Sequence, residues 1–256
     1  MSSNETAPCT VRHSEAVVRF CDESSLLINF ITGVSEMAGT LDEIGAITVT
    51  ALRTFGVRST DAQHQIKHAE HGFGARAKLG TYWQLMLQTV LCRAIDNTLI
   101  YVSDLLTLIF TTRPETLRSN ETVTLEFILK HKDQEELINA LAERKVNKLS
   151  YQGMKDLARY VADTLGLDMF SGPEELNKAI RLNEMRNLIV HNRGIVNKTF
   201  LSRVPDSRLS LGDRVTLDFK ELVDDMMFLI NVVHDMEMRA IAKFRIIPQD
   251  ETPTGT

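Results

Sequence analysis

The stretch TYWQLMLQTVLCRAIDNTLIYVSDLLTLIFTTRP, Thr81–Pro114, decides how the rest of the chain is read. Tyr82, Leu85, Met86, Val90, Leu91, Ile95, Leu99, Val102, Leu105, Leu106 and Ile109 recur at intervals of three and four, the period of a helix with an apolar face. Arg113-Pro114 ends it, because the proline ring removes a helical donor and clashes with the preceding turn. A long, mostly buried central helix is predicted. Its most apolar part, Thr98 to Phe110, is interrupted by Asp104, with Arg93 and Asp96 just upstream, so no membrane span of about 20 apolar residues is expected.

Glycine and proline are scarce in the 256 residues, 13 and 6, whereas Leu, Ala, Glu and Met are plentiful, a balance that favours helices. The length allows one large domain or two small ones with an ordinary hydrophobic core. A formal net charge of −5 excludes a protein that coats nucleic acid with its whole surface and leaves room for a local basic patch. Cys9, Cys21 and Cys92 show no Cys-x-x-Cys spacing and read as reduced thiols. Met1–Ser14 lacks the apolar core of a signal peptide, so a cytoplasmic protein with no membrane partner is expected.

Upstream of the central helix, Leu26, Leu27, Ile28, Phe30 and Ile31 begin one apolar segment, and Thr40-Leu41-Asp42-Glu43 has the pattern of a capping box that opens another. Two short N-terminal helices are predicted, the second ending near Phe55-Gly56. Val57 to Gly80 is polar, with His64, His68 and His71, and reads as a solvated linker or loop. The histidine spacing would also allow imidazoles to share a helical face, but no metal or other cofactor is expected.

Downstream, shorter helices are predicted around Val123–Leu129, from Asp133 into Glu143, and over Met154–Leu165 before Gly166. Ser171-Gly172-Pro173-Glu174 reads as a capping box for a helix that Gly194 stops. Arg208–Leu217 alternates with period two around Gly212-Asp213, which predicts a small β-hairpin insertion. Asp218 caps a last helix that runs through Leu222, Met226, Leu229, Val233, Met236 and Ile241. The fold class is therefore all-α, a helical bundle with short N-terminal helices and a β-hairpin near the C-terminus. Its expected parts are a disordered tail (1–20), a helical extension (21–56), a linker (57–80), the main domain (81–247) and a second disordered tail (248–256).

One segment carries chemistry: Glu184-Met185-Arg186-Asn187-Leu188-Ile189-Val190-His191-Asn192-Arg193-Gly194. Leu182, Met185, Leu188 and Ile189 share one face of the helix, while Asn183, Arg186, Asn187, His191 and Arg193 occupy the opposite sector. A permanently charged Arg, a His that exchanges protons near neutrality and an amide between them suit phosphate chemistry without a metal. Asn187 and His191, four apart, can hydrogen-bond. Arg186 and His191 lie about 140° apart on a regular helix, so either the helix end unwinds or two copies meet. Between Leu176 and Arg208 seven basic residues (Lys178, Arg181, Arg186, Arg193, Lys198, Arg203, Arg208) face two acidic ones (Glu184, Asp206), a local excess of +5. Lys178, Arg193 and Lys198 are the candidate phosphate-backbone contacts. The bland alternative is a helix terminus with a capping His and basic side chains that complement its dipole.

Arg186-Asn187-x-x-x-His191, near the end of a late helix in an all-α chain, resembles the Arg-x4–6-His motif of the HEPN superfamily over roughly Tyr82 to Phe244. Arg58-x5-His64 also falls within the permitted spacing but lies in the polar linker and lacks the Asn. The resemblance implies a HEPN-type bundle and a metal-independent endoribonuclease working as a homodimer, with two motifs facing across the interface. It implies His191 as general acid or base, Arg186 stabilising charge on phosphorus, and Asn187 orienting the His or holding a phosphate oxygen. The products would be 2′,3′-cyclic phosphate and 5′-hydroxyl ends. A toxin–antitoxin or phage-defence role with a regulatory protein partner is also implied. A subset of the family carries a nucleotidylated Tyr two residues after the His; Arg193 stands there. Other HEPN-like domains serve as non-catalytic dimerisation, interaction or nucleotide-binding modules. Asp133, Glu135 and Glu136, or Asp224 and Asp225, read as solvated faces, and Trp83, Met226 and Met227 as packing.

Overall fold

A computed structural model describes residues 13–54, 63–64, 67, 75–118, 122–150 and 152–247. The chain is predominantly α-helical: α1 (Glu15–Thr54), α2 (Ala75–Thr112), a 3-10 turn (Pro114–Leu117), α3 (Leu125–Leu129), α4 (Gln134–Ser150), α5 (Met154–Leu165), α6 (Pro173–Asn192), α7 (Lys198–Arg203) and α8 (Phe219–Phe244). The all-α expectation holds.

The N-terminal region departs from expectation. One helix of 40 residues replaces the two short ones and begins at Glu15, inside the stretch read as a tail. Thr40 does not open a new helix; its hydroxyl donates to the Glu36 carbonyl 3.1 Å away, the back-bond a threonine makes inside a continuous helix. A capping-box pattern needs an interruption before it, and residues 26–39 hold no proline to supply one. The core helix likewise starts at Ala75, within the expected linker, while 1–12, most of 55–74 and 248–256 lie outside the described residues.

Contacts divide the chain into two interleaved units rather than consecutive domains. The first comprises 1–22, 97–180 and 229–256, the second 23–96 and 181–228. In the first, Tyr101, Leu105, Leu106, Ile109 and Phe110 of α2 are fully buried, together with apolar residues of α1, α4, α5 and α8. The α5 stripe of Met154, Leu157, Ala158, Val161 and Leu165 is buried as its spacing predicts, and Gly166 caps the helix at φ +57°. At the start of α6 the Ser171 N–H donates to the Glu175 carboxylate, 2.8 Å, and Leu176 closes on the Gly172 carbonyl. Only the carboxylate half of the expected capping box forms, and from Glu175 instead of Glu174; Ser171 Oγ accepts from Arg239 Nη2 at 2.8 Å.

In the second unit Ile31, Leu87, Leu91, Leu182, Val196, Phe200, Val215 and Leu222 form the buried centre. Arg208–Leu217 is not a hairpin: no strand occurs among the described residues, only an isolated antiparallel bridge of Ile195 with Arg214. The segment pairs with the chain leaving α6, through Val196 N–H to the Asp213 carbonyl, Gly212 N–H to the Val196 carbonyl and Val215 N–H to the Gly194 carbonyl. Two α2 side chains complete its hydrogen bonding. Gln84 exchanges both bonds with Leu217, at 2.7 and 2.8 Å, and the Gln88 amide donates to the Val215 carbonyl at 2.9 Å. The period-two pattern holds locally, since Val215 and Leu217 point inward while Leu211 is exposed. With backbone groups satisfied by glutamines, the segment needs no second strand. Replacing Gln84 and Gln88 together by alanine should cost about 2 kcal/mol, because partly buried backbone groups lose their partners. Urea denaturation checks this; an unchanged midpoint would show that the clamp carries no stability.

By length and composition alone, Tyr82–Thr112 of α2 is apolar enough to span a membrane, with a window of mean hydropathy 1.3. Of that window 56% is buried within the protein, as in a core helix. Two other expectations also change. Asp225 is buried and paired with Arg181 at 3.5 Å instead of lying on a solvated face, and Met227 is exposed instead of packed.

Candidate active site

The second unit positions the Arg-Asn…His segment on the last turns of α6. The helix stays regular through Asn192, so its end does not unwind to bring Arg186 and His191 together. Termination begins one residue before the expected glycine: Arg193 (φ 54°) and Gly194 (φ 72°) both take left-handed conformations, and the Gly194 N–H closes on the Leu188 carbonyl at 2.9 Å. Asn192 fixes the reversal by donating to the Ile195 carbonyl, 2.6 Å. Asn197 then caps α7 by accepting the Phe200 N–H at 2.9 Å.

These turns fold α7 back beside α6 and create a cleft of about 390 Å³, lined by Glu184, Asn187, His191, Asn192, Asn197 and Arg203 over Leu188 and Phe200. His191 is exposed, and its imidazole makes no hydrogen bond among the described residues. The predicted Asn187–His191 bond is not formed; Asn187 Oδ1 instead accepts from Arg186 Nη1 at 3.4 Å. Arg186 does not line the cleft. Its Nε and Nη2 both reach one oxygen of Asp96 on α2, at 3.0 and 2.9 Å, in a half-buried ion pair. Within one chain, the structure brings Asn187 and His191 to a common cleft and holds Arg186 elsewhere.

Two further cleft residues were missed by the sequence reading. Glu184 is buried and its carboxylate accepts from Arg203 Nη1 at 2.9 Å, which aims a half-exposed guanidinium at the cleft. The signal for Glu184 was present, because positions 184, 187 and 191 share a helix face within about 60°. Arg203 was less accessible to sequence reasoning, since α7 was not predicted and its arrival depends on the turn at Arg193-Gly194.

The basic patch is smaller in three dimensions than along the chain. Arg181, Arg186 and Arg203 are paired with Asp225, Asp96 and Glu184. Counting Asp96 and Asp225, which fall outside the 176–208 window, the +5 excess becomes +3. Arg193 and Lys198 are exposed near the cleft's chain segments; Lys178 belongs to the first unit and is not a lining residue. Cys92 offers no nucleophile: burial first, then the Asp96 charge, pushes its thiol up to about 11, against an opposing effect of Arg186. No group of three metal-ligating side chains occurs among the described residues, and His68 and His71 lie outside them.

Comparison with protein-family models, curated proteins and solved structures returns no match to this chain.

Proposed function

We propose that the protein is a metal-independent endoribonuclease of HEPN type that cuts RNA at the α6–α7 cleft. The observation that carries this reading is an exposed His191, its imidazole without a hydrogen bond among the described residues, beside Asn187 in a cleft whose guanidinium is anchored by a buried carboxylate. His191 takes the 2′-hydroxyl proton as the 2′-oxygen attacks phosphorus, or delivers a proton to the leaving 5′-oxygen. The new P–O2′ bond and the broken P–O5′ bond leave a 2′,3′-cyclic phosphate and a 5′-hydroxyl. Arg203 and Asn187 face the phosphate oxygens, and Lys198 and Arg193 meet the flanking backbone. Arg186, tied to Asp96, positions Asn187 in each chain, and its guanidinium reaches phosphate only by exchanging Asp96 for it or across a dimer. Purified protein incubated with total RNA in EDTA, with product ends mapped, tests the reading; intact RNA at concentrations where dimers form counts against it.

Arg186 and His191 diverge on a regular helix, so bringing both to one phosphate takes two copies. A surface suited to this is the exposed α1 stripe of Leu26, Phe30, Met37, Leu41 and Ile44, spaced as one side of a helix. Leu41→Glu with Ile44→Glu should convert dimers to monomers in sedimentation velocity and abolish cleavage together. Dimers that persist in the variant would remove α1 from the interface. The proposal extends to a cytoplasmic toxin–antitoxin or phage-defence setting under a regulatory protein partner. Arg193 in place of a tyrosine speaks against control by nucleotidylation.

The Arg186–Asp96 pair favours a second reading, in which the motif is structural and the module is a non-catalytic HEPN-like dimerisation or interaction domain. It predicts uncut RNA and partner binding that survives His191→Ala.

A further inference from the structure

His13 and His234 meet in the first unit although more than 200 residues separate them along the chain, so no local reading of the sequence finds the pair. His13 stands just before α1 and His234 lies in α8; their ring centres are 6.1 Å apart, with the planes inclined at 57°. What brings them together is buried. The Ser14 N–H donates to the Glu237 carboxylate at 2.7 Å, and Glu237 follows His234 by three positions, on the same side of α8. That bond pins the backbone beside His13 against α8, while both rings remain exposed.

Imidazole is the commonest protein ligand for divalent transition metals, and two on neighbouring elements make a chelate. A zinc–nitrogen bond of about 2.0–2.1 Å puts each ring centre about 3.2 Å from the ion, so in a tetrahedral site two centres lie about 5.2 Å apart. The observed pair has to close by only about 1 Å, which exposed side chains do by small rotations. Neither imidazole makes a hydrogen bond or ion pair among the described residues that it would have to give up. The carboxylates next to the pair in sequence are already engaged: Glu15 with Arg19 and Asp235 with Arg239, both at 3.8 Å, and Glu237 with Ser14 and Tyr101. Among the described residues the two imidazoles are therefore the donor set, and the other coordination positions fall to water.

We infer that His13 and His234 form a two-histidine site for a divalent transition-metal ion of the zinc type, which ties the start of α1 to α8. The inference stands apart from the cleavage reading. The site belongs to the other unit and takes no part in the reaction, and it is read by metal binding, whereas cleavage is read in EDTA.

The test is calorimetric titration of the untagged full-length protein, stripped of metal and freed of chelator, with zinc chloride at about pH 7.5. Wild type should bind zinc. His13→Ala and His234→Ala should each weaken that binding at least about tenfold, because loss of even an outer partner of a metal ligand costs that much. The double variant should add little to either single loss, since a chelate fails when its first ligand goes. Both rings are exposed and strand no polar group among the described residues, so these variants should fold. A His64→Ala/His68→Ala/His71→Ala variant should bind like wild type, which separates the pair from the histidines of the polar segment. Zinc at about a hundredfold over its Kd should also raise the wild-type melting temperature by about 5–10 °C, and that of His234→Ala by about half as much or less. No zinc binding by wild type at about 1 mM, unchanged binding in either single variant, losses that add fully in the double variant, or binding lost in the His64/His68/His71 variant would each overturn the inference.

Discussion

Replacing Glu237 with alanine should lower stability by about 3 kcal/mol, which for a chain of this size moves the melting temperature down by roughly 6–12 °C. Glu237 is a fully buried carboxylate of α8, and both of its oxygens are used. One accepts the Ser14 backbone N–H at 2.7 Å, at the start of α1, and the other accepts the Tyr101 hydroxyl at 3.0 Å. Ser14 Oγ accepts the Val17 N–H at 3.3 Å, so the first turn of α1 depends on side-chain acceptors from two directions. Alanine leaves a helix-terminal donor and a buried hydroxyl without partners, each costing about 1–3 kcal/mol. Tyr101→Phe should be milder alone and should reduce the penalty of Glu237→Ala, because it removes one of the stranded donors; additive losses would contradict this coupling.

The same pair sets an alkaline limit. Burial first, and then the Glu237 charge and hydrogen bond, raise the Tyr101 hydroxyl well above its ordinary value near 10. A folded-state value above the unfolded one gives stability that is complete below pH about 10 and declines as pH rises beyond it, where only the unfolded tyrosine ionises. Tyr101→Phe should flatten that decline in denaturation curves measured across alkaline pH.

His191→Ala should reduce RNA cleavage by about 10²–10⁴-fold, the range for loss of a general acid–base group, while leaving the melting temperature unchanged within error. The separation follows from geometry: His191 is exposed and its imidazole makes no hydrogen bond among the described residues, so its removal strands none of their polar groups. Arg186→Ala should behave differently. It leaves Asp96 half-buried without its cation and Asn187 without its tether, costing about 1 kcal/mol after allowance for solvent, so stability and activity fall together. Asp96→Asn reports on the state of Arg186 itself. If Asp96 withholds the guanidinium from phosphate, the variant cleaves faster; if Asp96 only orients it, the variant cleaves more slowly.

The helices most legible in the sequence were those whose periodicity met a local stop. Met154–Leu165 before Gly166, and the last helix after Asp218, lie where their spacing and caps put them. What misled was local chemistry read without its surroundings. Thr40-Leu41-Asp42-Glu43 has the residues of a capping box, but inside a continuous helix the Thr40 hydroxyl turns back to Glu36. Arg208–Leu217 alternates like a strand, yet its partners are the chain at Gly194–Val196 and the side chains of Gln84 and Gln88, more than 100 residues away. The site divides in the same way. Asn187 and His191 were readable from one helix, and Glu184 on the same face could have been; Asp96 and Arg203 come from elements whose approach to α6 is a matter of tertiary packing.

The most direct test compares wild type with His191→Ala on one defined RNA, in EDTA, at matched helical content by circular dichroism and at concentrations where dimers form. The account predicts strand scission by wild type alone, with 2′,3′-cyclic phosphate and 5′-hydroxyl ends. Equal cleavage by both proteins, or cleavage by neither, would contradict it.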